Sequence, residues 1–282
     1  MALIEIIHTS DKLRENRLLM LRQESFGPVD FIKNTVASFK ESAMKMKDYF
    51  LLLQGFRGED KTLSSIRSKV EKAEKSLKDF NFVSNHKTLI PVPLGFKEDM
   101  PGYTDFLHRA LKEIIPAVLE EISAFNTELS VFISDKSVKL SIRDNSQKAV
   151  MKMRAKRAAL TNHLSTYYTG GSSTRKHLGD VFDNAEGILL AATQSVNAYE
   201  LAYKTNPKSI SGDVETICGK IDTIINMAQG EEDFEVSPES IRNLAEKAYE
   251  VGRQVELLAV FCTEAETAAV LMDETLERVM KL

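Results

Sequence analysis

The stretch from Ser237 to Leu282, SPESIRNLAEKAYEVGRQVELLAVFCTEAETAAVLMDETLERVMKL, constrains the fold more than any other. Ile241, Leu244, Ala248, Val251, Val255, Leu258, Cys262, Ala265, Ala269, Met272, Leu276 and Val279 follow a strict alternation of three and four, so every seam position is apolar over six heptads. That spacing lines one stripe of an α-helix; a half-buried strand would alternate with period two. Ser237 is placed as N-cap and Pro238 at the first helical position. A helix from Pro238 to Leu282 runs about 65 Å at ~1.5 Å per residue, with a coiled-coil-like seam.

The same period returns upstream. Ile32, Val36, Phe39, Ala43, Met46, Phe50 and Leu53 carry it after Pro28, and Leu63, Ile66, Val70, Ala73, Leu77 and Phe80 carry it after the break GFRGED. Val214, Ile217, Ile221, Ile224 and Ala228 repeat it between Gly212 and Gly230. Ala185, Ile188, Ala192, Ser195, Tyr199 and Ala202 repeat it over 181–203, where small residues let a neighbouring helix come close. The shared period comes without a sequence repeat. Only 13 Gly and 7 Pro punctuate 282 residues, so elements are long and turns few. These patterns predict an all-α protein: an elongated, antiparallel helical bundle with coiled-coil-like seams.

Two regions depart from the pattern. Residues 81–103, NFVSNHKTLIPVPLGFKEDMPGY, cannot be helical through Pro91 and Pro93. Their apolar centre, Leu89 to Phe96, predicts a strap lying along the bundle. The strap divides the chain into an N-terminal helical region (1–80), the connecting strap (81–103) and a long-helix bundle (104–282). The second region is LSVFISDKSVKLSIRD, 129–144. Val138, Leu140 and Ile142 alternate with polar residues, which suits a small β-hairpin near 129–143. A helical stripe through Val138, Ile142, Ala149, Met153, Leu160 and Leu164 suits the same residues and is preferred, because the downstream pattern continues it.

Charge is distributed unevenly. From Lys136 to Leu178 ten bases face a single acid, Asp144; from Glu231 to the end thirteen acids outnumber five bases. Either these segments attract each other inside the molecule, or the basic one meets an acidic partner. Its partner-binding candidates are Lys152, Arg154, Lys156, Arg157, Arg175, Lys176 and His177. The last three follow the paired glycines of TYYTGGSSTRKHLGD, 166–180. That stretch is no Walker loop, because Arg175 and Lys176 follow the hydroxyl residues instead of preceding one. It reads as a corner. Gly170 or Gly171 ends one helix in the left-handed conformation, and Ser172, Ser173 or Thr174 caps the next. Bases in that first turn would oppose the helix dipole, a conflict that a neighbouring anion relieves.

Other chemistry finds little support. The five histidines (His8, His86, His108, His163, His177) are scattered. Asp105 and His108 have the i, i+3 spacing of di-metal bundles, but the second such element is missing, so no metal or cofactor is expected. No nucleophile elbow occurs, and Cys218 and Cys262 fall at or beside seam positions, where a thiol is inert packing. The chain is therefore not expected to be an enzyme. A charged or polar cluster pointing into the bundle would reopen that question. Tyr167 and Tyr168 are placed to stack on bases, yet the pI is about 5.9 and no nucleic-acid reader motif occurs. The N-terminus lacks a signal peptide's basic start and long apolar core, and no run reaches the ~18 apolar residues of a membrane span. The expected setting is the cytoplasm or the inside of a particle assembled there. The expected role is structural: a helical component of a larger assembly, such as a virion or scaffold particle, that associates with itself or other proteins. The alternative is nucleic-acid or anionic-membrane binding through the basic 136–178 region.

Overall fold

All twelve predicted seam positions of the C-terminal helix are buried. The computed structural model describes residues 60–97, 99–134, 143–167, 173–205, 207–230 and 238–282, together with residues 37, 40, 41, 43, 44 and 48. Ser237 and most of the 32–53 stripe lie outside the described residues. Along the chain run α1 (Asp60–Ser76), α2 (Phe82–Asn85), β1 (Leu89–Pro93), α3 (Met100–Ser134), α4 (Arg143–Tyr167), β2 (Ser173–His177), α5 (Ala185–Lys204), α6 (Pro207–Gly230) and α7 (Pro238–Val279). The described residues form an all-α fold with one small antiparallel sheet. No described helix is long and apolar enough to cross a membrane.

Helix α7 is the axis of the molecule. A seam predicts one buried stripe, but from Ala248 to Cys262 every residue is buried whichever way it faces. The reason is that α1, α3, α4 and α5 all pack on it. Helices α3 and α7 run antiparallel. The Tyr103 hydroxyl donates to Glu264 Oε2 at 2.9 Å at one end, and Lys247 pairs with Glu128 toward the other. Helix α4 returns beside α3, with Tyr167 stacked on Phe106 and Lys156 within 3.6 Å of Glu113. Helices α5 and α6 then retrace the direction of α3. Gly187 lies against Pro101, and Lys220 Nζ donates to the Asn126 carbonyl at 3.1 Å. Four rungs thus alternate in direction, and the third is broken between α5 and α6. Thr205 has already left the helix (φ −66°, ψ 95°), and Pro207 lacks the N–H that a continuous helix would use. Ala191, Ala192, Ser195, Ala198 and Ala202 are buried on α5, and their small size lets α3 and α7 approach. Helix α1 lies across α5 and α7, tied by Arg67 to Glu200 and by Lys69 to Asp273 at 2.7 Å.

The strap is packed, as its composition predicts, and it pairs with a second strand. Residues Leu89–Pro93 form β1, with Ile90, Val92 and Phe96 buried. A turn closed by Phe96 N–H to the Pro93 carbonyl at 3.0 Å follows, with Gly95 at φ 70°, a left-handed position that suits glycine. The helical pattern resumes at Met100, inside the predicted strap. The hairpin reading near 129–143 is corrected for its first part: Leu129 to Ser134 are the last residues of α3. Residues 135–142 lie outside the described residues. The helical reading holds downstream, where Met153 and Leu164 are buried and Leu160 is half-buried in α4.

Asp99 caps α3: its Oδ1 accepts the Gly102 N–H at 2.9 Å. A Cβ at position 102 would sit 2.1 Å from Asp99 Oδ2, so any side chain there expels the cap. Gly→Ala within a helix ordinarily gains about 1 kcal/mol, and losing an Asp cap costs ~1 kcal/mol. Gly102→Ala should therefore leave stability almost unchanged, whereas in an Asp99→Ala background it should stabilise by about 1 kcal/mol. Urea denaturation of the four combinations checks this; a full gain from Gly102→Ala alone would show that Asp99 does not cap.

Candidate functional site

The ribbon formed by β1 and β2 lies at the end of the bundle where α3 and α5 begin. Leu89 pairs with His177, Ile90 with Lys176, Pro91 with Arg175, Val92 with Thr174 and Pro93 with Ser173. The Leu178 N–H donates to the Thr88 carbonyl at 2.8 Å, which fixes the alternation. Ile90–Lys176 and Val92–Thr174 are therefore the hydrogen-bonded pairs. Pro91 and Pro93 fall at the other positions, where a missing N–H costs the ladder nothing. The outer edge of β1 is closed. Its two prolines have no donors, its Leu89 carbonyl accepts from Arg278 at 3.2 Å, and its Pro93 carbonyl is taken by the turn.

This pairing corrects the corner reading of TYYTGGSSTRKHLGD. Ser173 and Thr174 cap no helix; they are extended, and a short 3-10 turn follows at Leu178–Asp180. The next helix begins at Ala185 and is capped by Asn184, whose Oδ1 accepts the Gly187 N–H at 2.9 Å. Gly170, Gly171 and Ser172 lie outside the described residues. The physical reason is the strap. Pro91 and Pro93 hold it extended, its buried Ile90 and Val92 anchor it, and its free backbone groups need a strand partner. Arg175, Lys176 and His177 consequently sit on a strand, and the conflict with a helix dipole disappears.

The seven basic candidates separate into two sets. Arg175 and His177 are exposed on β2 and Lys176 is half-buried there. The His177 ring donates from Nδ1 to the Lys87 carbonyl at 2.7 Å. On α4, Lys152 and Lys156 are exposed, Arg157 turns inward, and the partly exposed Arg154 reaches the same buried carboxylate. Arg154 Nε donates to Glu250 Oε1 at 2.7 Å and Arg157 donates to Glu250 Oε2 at 2.8 Å, with the Glu250 side chain 1% exposed. Arg154 lies about 20 Å from Tyr167 along α4 at ~1.5 Å per residue, so the two sets form no single patch. Part of the charge asymmetry is thus neutralised internally, between basic α4 and acidic α7. Beside this pair, Arg253 bonds Glu256, both buried, and Gln254 Nε2 donates to the Met153 carbonyl. An inward charged cluster therefore exists, and its described contacts are ion pairs and hydrogen bonds within the protein.

Next to the ribbon, an open cleft of about 720 Å³ separates the starts of α3 and α5. Asp99, Asp180, Asp183 and Glu186 line it, with Asn184 and Leu190. Two helix N-termini open onto it, so it combines carboxylates with the positive ends of helix dipoles. Among the described residues no three His, Cys, Asp or Glu side chains, these carboxylates included, are arranged so that they could hold a metal ion. Asp105 is paired with Arg109 at 2.7 Å, and His108 is held below the usual histidine range by burial and by Lys112. Tyr167 packs on Phe106 and Tyr103 with ring centroids 5.7 and 5.6 Å apart, and burial pushes its hydroxyl above the usual range. One face of its ring is therefore taken by Phe106, and Tyr168 lies outside the described residues. Comparison with protein-family models, curated proteins and solved structures finds no match.

Both cysteines are buried, and burial pushes the Cys262 thiol up to about 12. Neither should react with a thiol reagent in the native protein. Labelling slowed at least ~10³-fold relative to the chain in denaturant is the expected result, since it requires global opening. Rapid native labelling of either would contradict their packing role.

Proposed function

We propose that the chain is a structural interaction protein, not an enzyme: a helical component that packs into a larger assembly, such as a virion or scaffold particle formed in the cytoplasm, with itself or with other proteins. The observation that supports this most is the layout of charge at the ribbon end. Exposed Arg175 and His177 stand on β2, and the acidic cleft of Asp180, Asp183 and Glu186 follows directly in the chain. A surface with both signs side by side suits docking in a defined register. Exposed ion pairs contribute at most about 1 kcal/mol each, so charge would set orientation and encounter rate. Affinity would come from burying apolar side chains at the same end, such as Leu190 on α5 and Leu89 and Leu94 in the strap, which are exposed.

Native purification with identification of the co-purifying material tests this. A fixed ratio within a protein assembly that survives high salt supports the reading. Arrival with nucleic acid or lipid that salt strips away would replace it with binding through the basic 136–178 region, because phosphate-driven binding falls steeply with salt. Replacing Arg175 and Lys176 together by Ala should leave the helical fold in place and weaken capture of the partner by roughly tenfold, as losing up to two ion pairs to that partner implies. Unaltered capture would remove the ribbon from the interface.

A further inference from the structure

The two edges of the ribbon are chemically unequal. The outer edge of β1 is closed by Pro91, Pro93 and Arg278. Among the described residues, the outer edge of β2 has none of these devices. Its ladder to β1 uses Thr174 and Lys176, so the backbone N–H and C=O of Ser173, Arg175 and His177 point away from β1. Among the described residues no helix packs extensively on β2, and none hydrogen-bonds the Arg175 backbone. The strand exposes Ser173, Arg175 and His177 on one face, and Lys87 lies beside His177.

An open strand edge accepts an extended segment as an added strand, whose main-chain bonds supply affinity and whose side chains supply specificity. A second copy of β2 laid antiparallel would bring like bases together, which is unfavourable. An acidic strand would place carboxylates opposite Arg175. We infer that the free edge of β2 docks an extended acidic segment of a partner protein by β-strand addition. This rests on the interaction reading above and names the class of partner.

The test uses the full chain and two synthetic peptides of about seven residues, a usual strand length, alternating valine with glutamate or with lysine. Fluorescence anisotropy at low salt should detect binding of the glutamate peptide alone. Arg175→Ala should weaken it ~3-fold, the effect of one exposed charge. Arg175→Pro should weaken it ~10-fold or more, because it also removes an outward N–H while leaving the ladder to β1 intact. Hydrogen exchange on the unaltered protein gives a readout that needs no variant. The Arg175 and His177 amides should gain protection when the peptide binds, whereas Thr174 and Lys176 are protected beforehand. No binding at millimolar peptide, equal binding of the lysine peptide, or binding without protection at Arg175 and His177 would overturn the inference. A stable assembly in the purification together with failure here would leave the structural reading standing and move its contact elsewhere.

Discussion

Glu250→Ala is expected to destabilise the protein by about 3–5 kcal/mol, the usual result of removing one partner from a buried ion pair. The Glu250 carboxylate is the described counter-charge to both Arg154 and Arg157, and the Arg157 side chain is only 6% exposed. Without Glu250, the Arg157 guanidinium would stay in the α4–α7 interface and lose this buried carboxylate, or α4 would lift to reach water. Either outcome takes a large part of the ~5–15 kcal/mol that holds a domain together. At ~2–4 °C per kcal/mol for a chain of this size, melting should fall by roughly 10 °C. The double variant Arg157→Met with Glu250→Leu should recover most of the loss, since apolar pairs of similar volume often replace buried ion pairs at little cost. A melting temperature within about 2 °C of wild type for Glu250→Ala, less than the shift from 1 kcal/mol, would mean that α4 is not held through this carboxylate.

Leu258→Asp is expected to abolish the native fold at neutral pH. Leu258 is fully buried and lies within the length of α7 that is buried on every side, so no rotamer brings a carboxylate to water. Two costs add. The smaller side chain leaves a cavity worth ~2–5 kcal/mol. Keeping the acid neutral at pH 7 costs ~4 kcal/mol more, at 1.36 kcal/mol per pH unit above its ordinary value near 4. The sign of the pH dependence follows. The folded form holds a proton that the unfolded form releases above ~4, so the deficit relative to wild type grows as pH rises from ~4 to 7. Circular dichroism melts at both pH values, with Leu258→Ala as the cavity-only control, separate the two terms. Native helicity and an unchanged melt at pH 7 would contradict the interior position of the seam.

Several features were legible in the sequence because they depend on local spacing. The heptad stripe from Ile241 to Val279 appears as a buried helix face, and so do Leu63 to Leu77, Ile188 to Ala202 and Val214 to Ile224 of the other stripes, while Phe80 and Ala185 are only partly buried. Helical period is a property of neighbouring residues, so a list of side chains suffices to read it. The prolines of the strap barred a helix there for an equally local reason. The attraction between basic and acidic segments was visible as composition. Which residues realise it was not: Glu250 stands one residue before a seam position and looks like any acid on a solvated flank. Only the placement of α4 on α7 turns it inward between Arg154 and Arg157.

What the chain's local chemistry determined by itself was the helical class, the apolar faces and the extended strap. Tertiary structure alone decided that α7 is enclosed on all sides from Ala248 to Cys262, that Ser173 to His177 leave the helical pattern, and that the ribbon joins two strands separated by the whole length of α3 and α4. Such a pairing carries no mark in either segment. Thr174 and Arg175 suit a helix corner as well as a strand, and the choice falls to the strand because Ile90 and Val92, buried at the bundle end, leave backbone groups that only an extended neighbour can satisfy.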